Sequence, residues 1–106
     1  MILKEFEIKE LKMNGMAIGF EKAKVVVEVE HIHLGAVNIR HLEWVLTVDY
    51  IETNLEHIHR HKKVIEVDMV TDQGQELNGM AQVTAREEKV VTEITGVGEL
   101  YGSGVK

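Results

Sequence analysis

The sequence predicts an all-β, mainly antiparallel domain, either a small β-sandwich or a partly open β-barrel of about six to eight strands. Two observations carry this prediction. Segments in which apolar and charged residues alternate recur along the chain, most clearly in Lys24–His33, KVVVEVEHIH. Turn chemistry built on Gly, Asn and Asp separates them, as in Asn14-Gly15 and Asp72-Gln-Gly-Gln75. Alternation with period two marks a strand buried on one side.

Residues 2–8 (ILKEFEI) form the first strand, with Ile2, Phe6 and Ile8 on one parity. Asn14-Gly15 suits a type I′ turn, because both residue types tolerate positive φ. Met16–Phe20 resumes an extended pattern, and Glu21–Ala23 leads into the central strand. There Val25, Val27, Val29, His31 and His33 share one face, and Lys24, Val26, Glu28, Glu30, Ile32 and Leu34 the other. Beyond Glu30 the apolar residues change parity. Either a β-bulge near Glu30 or His31 sends Ile32 inward and the histidines to solvent, or the strand stays regular and both histidines end the valine face.

Gly35–Glu43 reads as a loop or one helical turn. Trp44–Ile51 is a strand with Trp44, Leu46, Val48 and Tyr50 on one face. Thr53-x-x-Glu56 has the form of a capping box, which allows a short helix over 54–62. The alternative, favoured here, is an extended run from His57 into the strand carrying Ile65, Val67 and Met69. Gln75–Ala85 is extended, with Asn78-Gly79 as a bulge or turn, and Arg86–Lys89 turns the chain. Val90–Tyr101 is the last strand; its Gly96 and Gly98 mark a bulge, a bend or the close approach of another backbone. Residues 1–101 form a single domain on this reading, and residues 102–106 a flexible tail.

The chain has 106 residues, 44% of them hydrophobic and 28% charged, which fits one folded core. Twelve basic against eighteen acidic residues give a net charge of −6, which argues against nucleic acid as a partner. Arg60-His-Lys-Lys63 is the one locally basic patch. There is no cysteine, so disulfides and thiolate metal sites are excluded. No apolar run is long enough to span a bilayer, and MILKEFEIKE lacks the apolar segment of a signal peptide. A cytoplasmic protein is the expectation.

Met13-Asn-Gly-Met-Ala17 matches Leu77-Asn-Gly-Met-Ala81, and Lys24-Val-Val-Val-Glu-Val29 matches Lys89-Val-Val-Thr-Glu-Ile94. Each unit can be a hairpin, by duplication or by convergence on the same turn chemistry.

The histidines pose the main chemical question. His31/His33 and His57/His59/His61 form two alternating sets, with His41 alone between them. On a strand, His-x-His places two imidazoles on one face, where a third ligand would complete a zinc site. The two sets meet if their strands are direct antiparallel neighbours, and lie at opposite sheet ends in a meander. On a helix, His57 and His61 become an i,i+4 pair. Close imidazoles also suit a pH switch. Catalytic constellations are weak: Ser103 is the sole serine, and the pairs Glu28/Glu30 and Glu66/Asp68 read as the wet face of a sheet.

The sequence therefore favours a non-catalytic binding and assembly module without a cofactor. Its expected partner is itself (a homo-oligomer) or another protein, in a setting such as a bacteriophage or mobile-element structural or accessory protein. The alternative is a metal-binding protein or metal-dependent enzyme using His31, His33, His57, His59 and His61, with zinc as the metal. A third reading, a carbohydrate- or peptide-binding module centred on Trp44 and Tyr50, requires an exposed Trp44.

Overall fold

The computed structural model describes residues 2–87 and 90–104. They form β1 (Ile2–Met13), β2 (Met16–Ala17), β3 (Lys22–Leu34), β4 (Val37–Asp49), α1 (Glu56–Arg60), β5 (Val64–Thr71), β6 (Glu76–Glu87) and β7 (Val91–Tyr101). The all-β expectation with one short helix holds.

The strands make one sheet in the order β2-β1-β3-β4-β7-β6-β5, and an added β1–β5 pairing joins its ends. The result is the barrel alternative. Closure depends on β1, which is long enough to serve two neighbours. Residues 2–8 pair with β3 on one edge, and residues 8–13 pair with β5 on the other, with a register shift between Ile8 and Glu10. That shift resets parity. Phe6 and Ile8 point inward before it, and Leu11 and Met13 after it. Asn14 prolongs the seam: its N–H donates to Glu66 O, and its Oδ1 accepts from Glu66 N–H, both at 2.9 Å.

The interior follows strand parity. In the β3–β4 ladder Ala23, Val25 and Val27 lie opposite Val48, Leu46 and Trp44, all buried, and Ile65, Val67 and Met69 line the β5 side. Trp44 is the largest buried side chain. Its indole packs against Gly79 of β6 and Gly96 of β7. A Cβ built on Gly96 would come 2.1 Å from the indole, and one on Gly79 2.6 Å. Those two glycines make the space that the ring fills. Gly98, at φ +91°, lies in the bulge that separates the Ala81–Gly96 pair from the Gly79–Leu100 pair. The bulge reading of the β7 glycines is realised at Gly98, whereas at Gly96 the close neighbour is the Trp44 side chain and not another backbone.

Several expectations need correction. Gly35–Glu43 is neither loop nor helical turn. It holds a tight turn at Gly35, with φ +61°, and the first half of β4. The β3–β4 ladder runs without a register shift from Lys22–Asp49 to Leu34–Val37, so there is no bulge at Glu30 or His31. The segment 56–60 is helical, not extended. Thr53 does not cap it; Asn54 Oδ1 accepts from Glu56 N–H at 2.9 Å instead. The helix ends in a Schellman motif: Lys62 sits at φ +51°, its N–H donates to His59 O, and Lys63 N–H donates to Ile58 O. Leu55 is buried and Ile58 packs against the core, so the helix is held by its apolar side.

The two NGMA segments also differ. Asn14 and Gly15 have φ of 50° and 81°, as a type I′ turn requires, whereas Asn78-Gly79 lies inside β6, paired with Asp68 and Val67. A duplicated hairpin is not what the fold shows. The turn expected at Arg86–Lys89 starts later, since β6 continues to Glu87, and Glu88 and Lys89 lie outside the described residues. In the segment 102–104, Ser103 is buried and donates to Leu100 O at 3.2 Å.

Candidate functional site

The β3–β4 hairpin outgrows the barrel. β1 pairs with β3 as far as Val29, and β7 pairs with β4 only over Val45–Asp49. Among the described residues, 30–34 and 37–43 therefore have strand pairing on one side alone. This two-stranded arm is exposed throughout, apart from the half-buried Leu42 at its root.

Its two faces differ in chemistry. The face continuous with the barrel interior carries His31 opposite Arg40, and His33 opposite Asn38. His33 Nδ1 and the Asn38 side-chain oxygen are hydrogen-bonded. Arg40 also reaches Glu99 on β7 at 2.7 Å and ties the arm to the bulged strand. The outer face carries Glu28 opposite Glu43, Glu30 opposite His41, Ile32 opposite Ile39 and Leu34 opposite Val37. Ile32, Leu34, Val37 and Ile39 are 37%, 61%, 56% and 41% exposed. Four large aliphatic side chains in two consecutive rows form a contiguous patch. Singly exposed apolar residues need no explanation, but a contiguous patch does.

At the root of this face His41 Nε2 and Glu43 Oε1 are 2.9 Å apart. That hydrogen bond, with the charges of Glu43, Glu30 and Glu28, raises the His41 pKa above the ordinary imidazole value.

The other histidines lie elsewhere. β3 and β5 are each antiparallel to β1, so they run parallel to one another. His31 and His33 follow the barrel part of β3, while His57, His59 and His61 precede β5. The two sets fall at opposite ends of the barrel, as a meander would have placed them, although the strand between them is β1. His57 and His61 pack with ring centroids 4.4 Å apart. Lys63 foremost, then His61 and Arg60, push the His57 pKa down. Among the described residues, no three His, Cys, Asp or Glu side chains are grouped as metal ligands. The expected histidine cluster, and the zinc site built on it, are therefore corrected to two separate pairs or strings of imidazoles.

The Trp44 and Tyr50 pair separates in the same way. Trp44 is fully buried, while Tyr50 is 52% exposed. β4 ends at Asp49, and Tyr50 turns out at φ +52°, so that Ile51 enters the core in its place. Trp44 Nε1 has no hydrogen-bond partner among the described residues. A binding platform with Trp44 as its exposed aromatic is ruled out.

A half-open groove of about 1080 Å³ lies beside the β1 register shift. Lys9, Glu10, Lys12 and Glu21 line one side, and Asp68, Glu76, Asn78 and Tyr101 the other. Asn78 Nδ2 donates to Asp68 Oδ1 at 2.6 Å within it. Its lining mixes both signs of charge and converges on no single polar point. Among the described residues, no helix is long and apolar enough to cross a membrane.

The arm was hidden from sequence reasoning, yet one signal pointed to it. Apolar residues change parity at Glu30 in β3, and Val37 and Ile39 keep the same outer face in β4. A bulge would move one strand; a matched change in two paired strands moves the apolar surface to the other side of the ribbon. The chain matches no family model, and no curated protein or solved structure is significantly similar to it.

Proposed function

We propose that the protein is a non-catalytic assembly module that associates with further copies of itself through the β3–β4 arm. One observation carries this reading: a ribbon outside the barrel presents Ile32, Leu34, Val37 and Ile39 to solvent on one face, with both strand edges unpaired among the described residues. Edges and apolar faces of this kind are covered in natural proteins, because both favour association.

The test is native mass spectrometry and light scattering on untagged protein over a concentration series. The expected result is a concentration-dependent oligomer. Ile32→Thr/Ile39→Thr, which keeps β-branched residues and removes apolar surface, shifts it to monomer with an unchanged far-UV circular dichroism spectrum. A wild-type chain that remains monomeric at every concentration sinks the proposal.

A further inference from the structure

The self-association reading leaves open which surface covers the arm, and charge supplies an answer. The outer face of the arm is acidic at its root. Glu28 and Glu43 are direct cross-strand neighbours, with Glu30 in the next row. Like charges directly opposite one another destabilise a sheet. His41 is bound to one of them, Glu43. The chain that follows the other end of the hairpin carries a basic stretch at the end of α1. Of the four residues 60–63, Arg60, Lys62 and Lys63 are basic and exposed, with Arg60 ion-paired to Glu56 at 2.6 Å and His57, His59 and His61 between and before them, in a chain of net charge −6.

Within one chain these regions cannot neutralise each other. β4 runs from the arm to Asp49, and α1 follows it. From Glu43 to Asp49 the strand alone rises about 20 Å, well beyond a Debye length of about 8 Å. A twofold contact that lays the arm faces root over root would set Glu28, Glu30 and Glu43 against the same carboxylates, which opposes association. A head-to-tail contact has no such conflict. We infer that the helical end of one copy docks on the outer face of the arm of the next, with Lys62 and Lys63 against Glu28, Glu30 and Glu43, beside the aliphatic patch. The interface is heterologous, so it repeats into a ring or an open chain.

Two variants block one end each: Glu30→Lys/Glu43→Lys on the arm and Lys62→Glu/Lys63→Glu after the helix. All four positions are exposed, and circular dichroism with thermal unfolding verifies that both variants fold. Each variant alone is expected to be monomeric. The two mixed one to one are expected to pair again, because the unaltered helical end of the first fits the unaltered arm of the second, and the two charge-reversed ends also complement each other. Wild-type association weakens by about tenfold or more between low and high salt. If both variants assemble like the wild type, or if the mixture behaves as the sum of its parts, the head-to-tail contact is wrong. Loss of assembly in Ile32→Thr/Ile39→Thr but in neither charge variant would retain the arm and discard this docking partner. A monomeric wild type overturns both readings.

Discussion

Rows Ala23/Val48 to Val29/Leu42 and rows Glu30/His41 to Leu34/Val37 belong to one unbroken β3–β4 ladder. The first set has Val25, Val27, Val29, Trp44, Leu46 and Val48 fully buried; the second is exposed on both faces. Backbone pairing within the hairpin is the same in both. What differs is the neighbours. β1 reaches Val29 and β7 reaches Val45, and beyond those limits the ribbon has no further strand pairing among the described residues, only the Arg40–Glu99 ion pair to β7. Burial here is a property of the closed sheet, not of the strand that enters it.

This contrast predicts unequal responses to substitution. Trp44→Ala has the largest effect, a loss of about 3–5 kcal/mol, because it empties the centre of the barrel part. Urea unfolding followed by far-UV circular dichroism measures it; a loss below about 1 kcal/mol would mean that the indole does not hold β6 and β7 in place. Gly96→Ala comes next. Its Cβ would meet the indole at 2.1 Å, and such overpacking costs about 1–3 kcal/mol. Combining it with Trp44→Leu should recover part of that loss, whereas strictly additive losses would place the strain elsewhere. Ile32→Thr and Ile39→Thr on the arm should each stay within about 0.5 kcal/mol in the monomer. A core-sized loss there would erase the distinction between the two halves.

The smallest effect is electrostatic. His41, raised by Glu43, contributes stability that is complete below the unfolded-state value near 6.5 and fades as pH rises through the folded value. His57, lowered by Lys63, works in the opposite sense: its contribution holds above about 6.5 and fades as pH falls through the folded value. Imidazole titration by NMR should place the His41 midpoint above that of His57, and Glu43→Gln should bring His41 down. Coincident midpoints would remove the acidic root of the arm from the account.

Parity made much of the barrel legible in the sequence. The inward faces of β3, β4 and β5 follow from alternating valines, isoleucines and methionine, and the Asn14-Gly15 turn from its residue types. The misses have physical reasons. Helix α1 is only five residues long, and its ending uses Lys62 where glycine would have announced an αL position. Asn78-Gly79 looks like a turn but serves space, since Gly79 is small for the sake of Trp44. The long-range β1–β5 pairing, which makes a barrel of the sheet and decides where the histidines lie, leaves no local mark. For the candidate site, the residues of the arm were readable as a parity change, while its lack of neighbours was not.

Strand β1 bears on how the chain is made. Its second half pairs with residues 67–71, so it emerges from the ribosome roughly sixty residues ahead of its partner. At about 5–20 residues per second that interval lasts about 3–12 s. The β3–β4, β5–β6 and β6–β7 hairpins join strands consecutive in sequence and can close as they appear. The seams between strands far apart in sequence are β1–β5 and β4–β7, and until β1 is set on β5 that edge is open to a β1 strand from any neighbouring nascent chain.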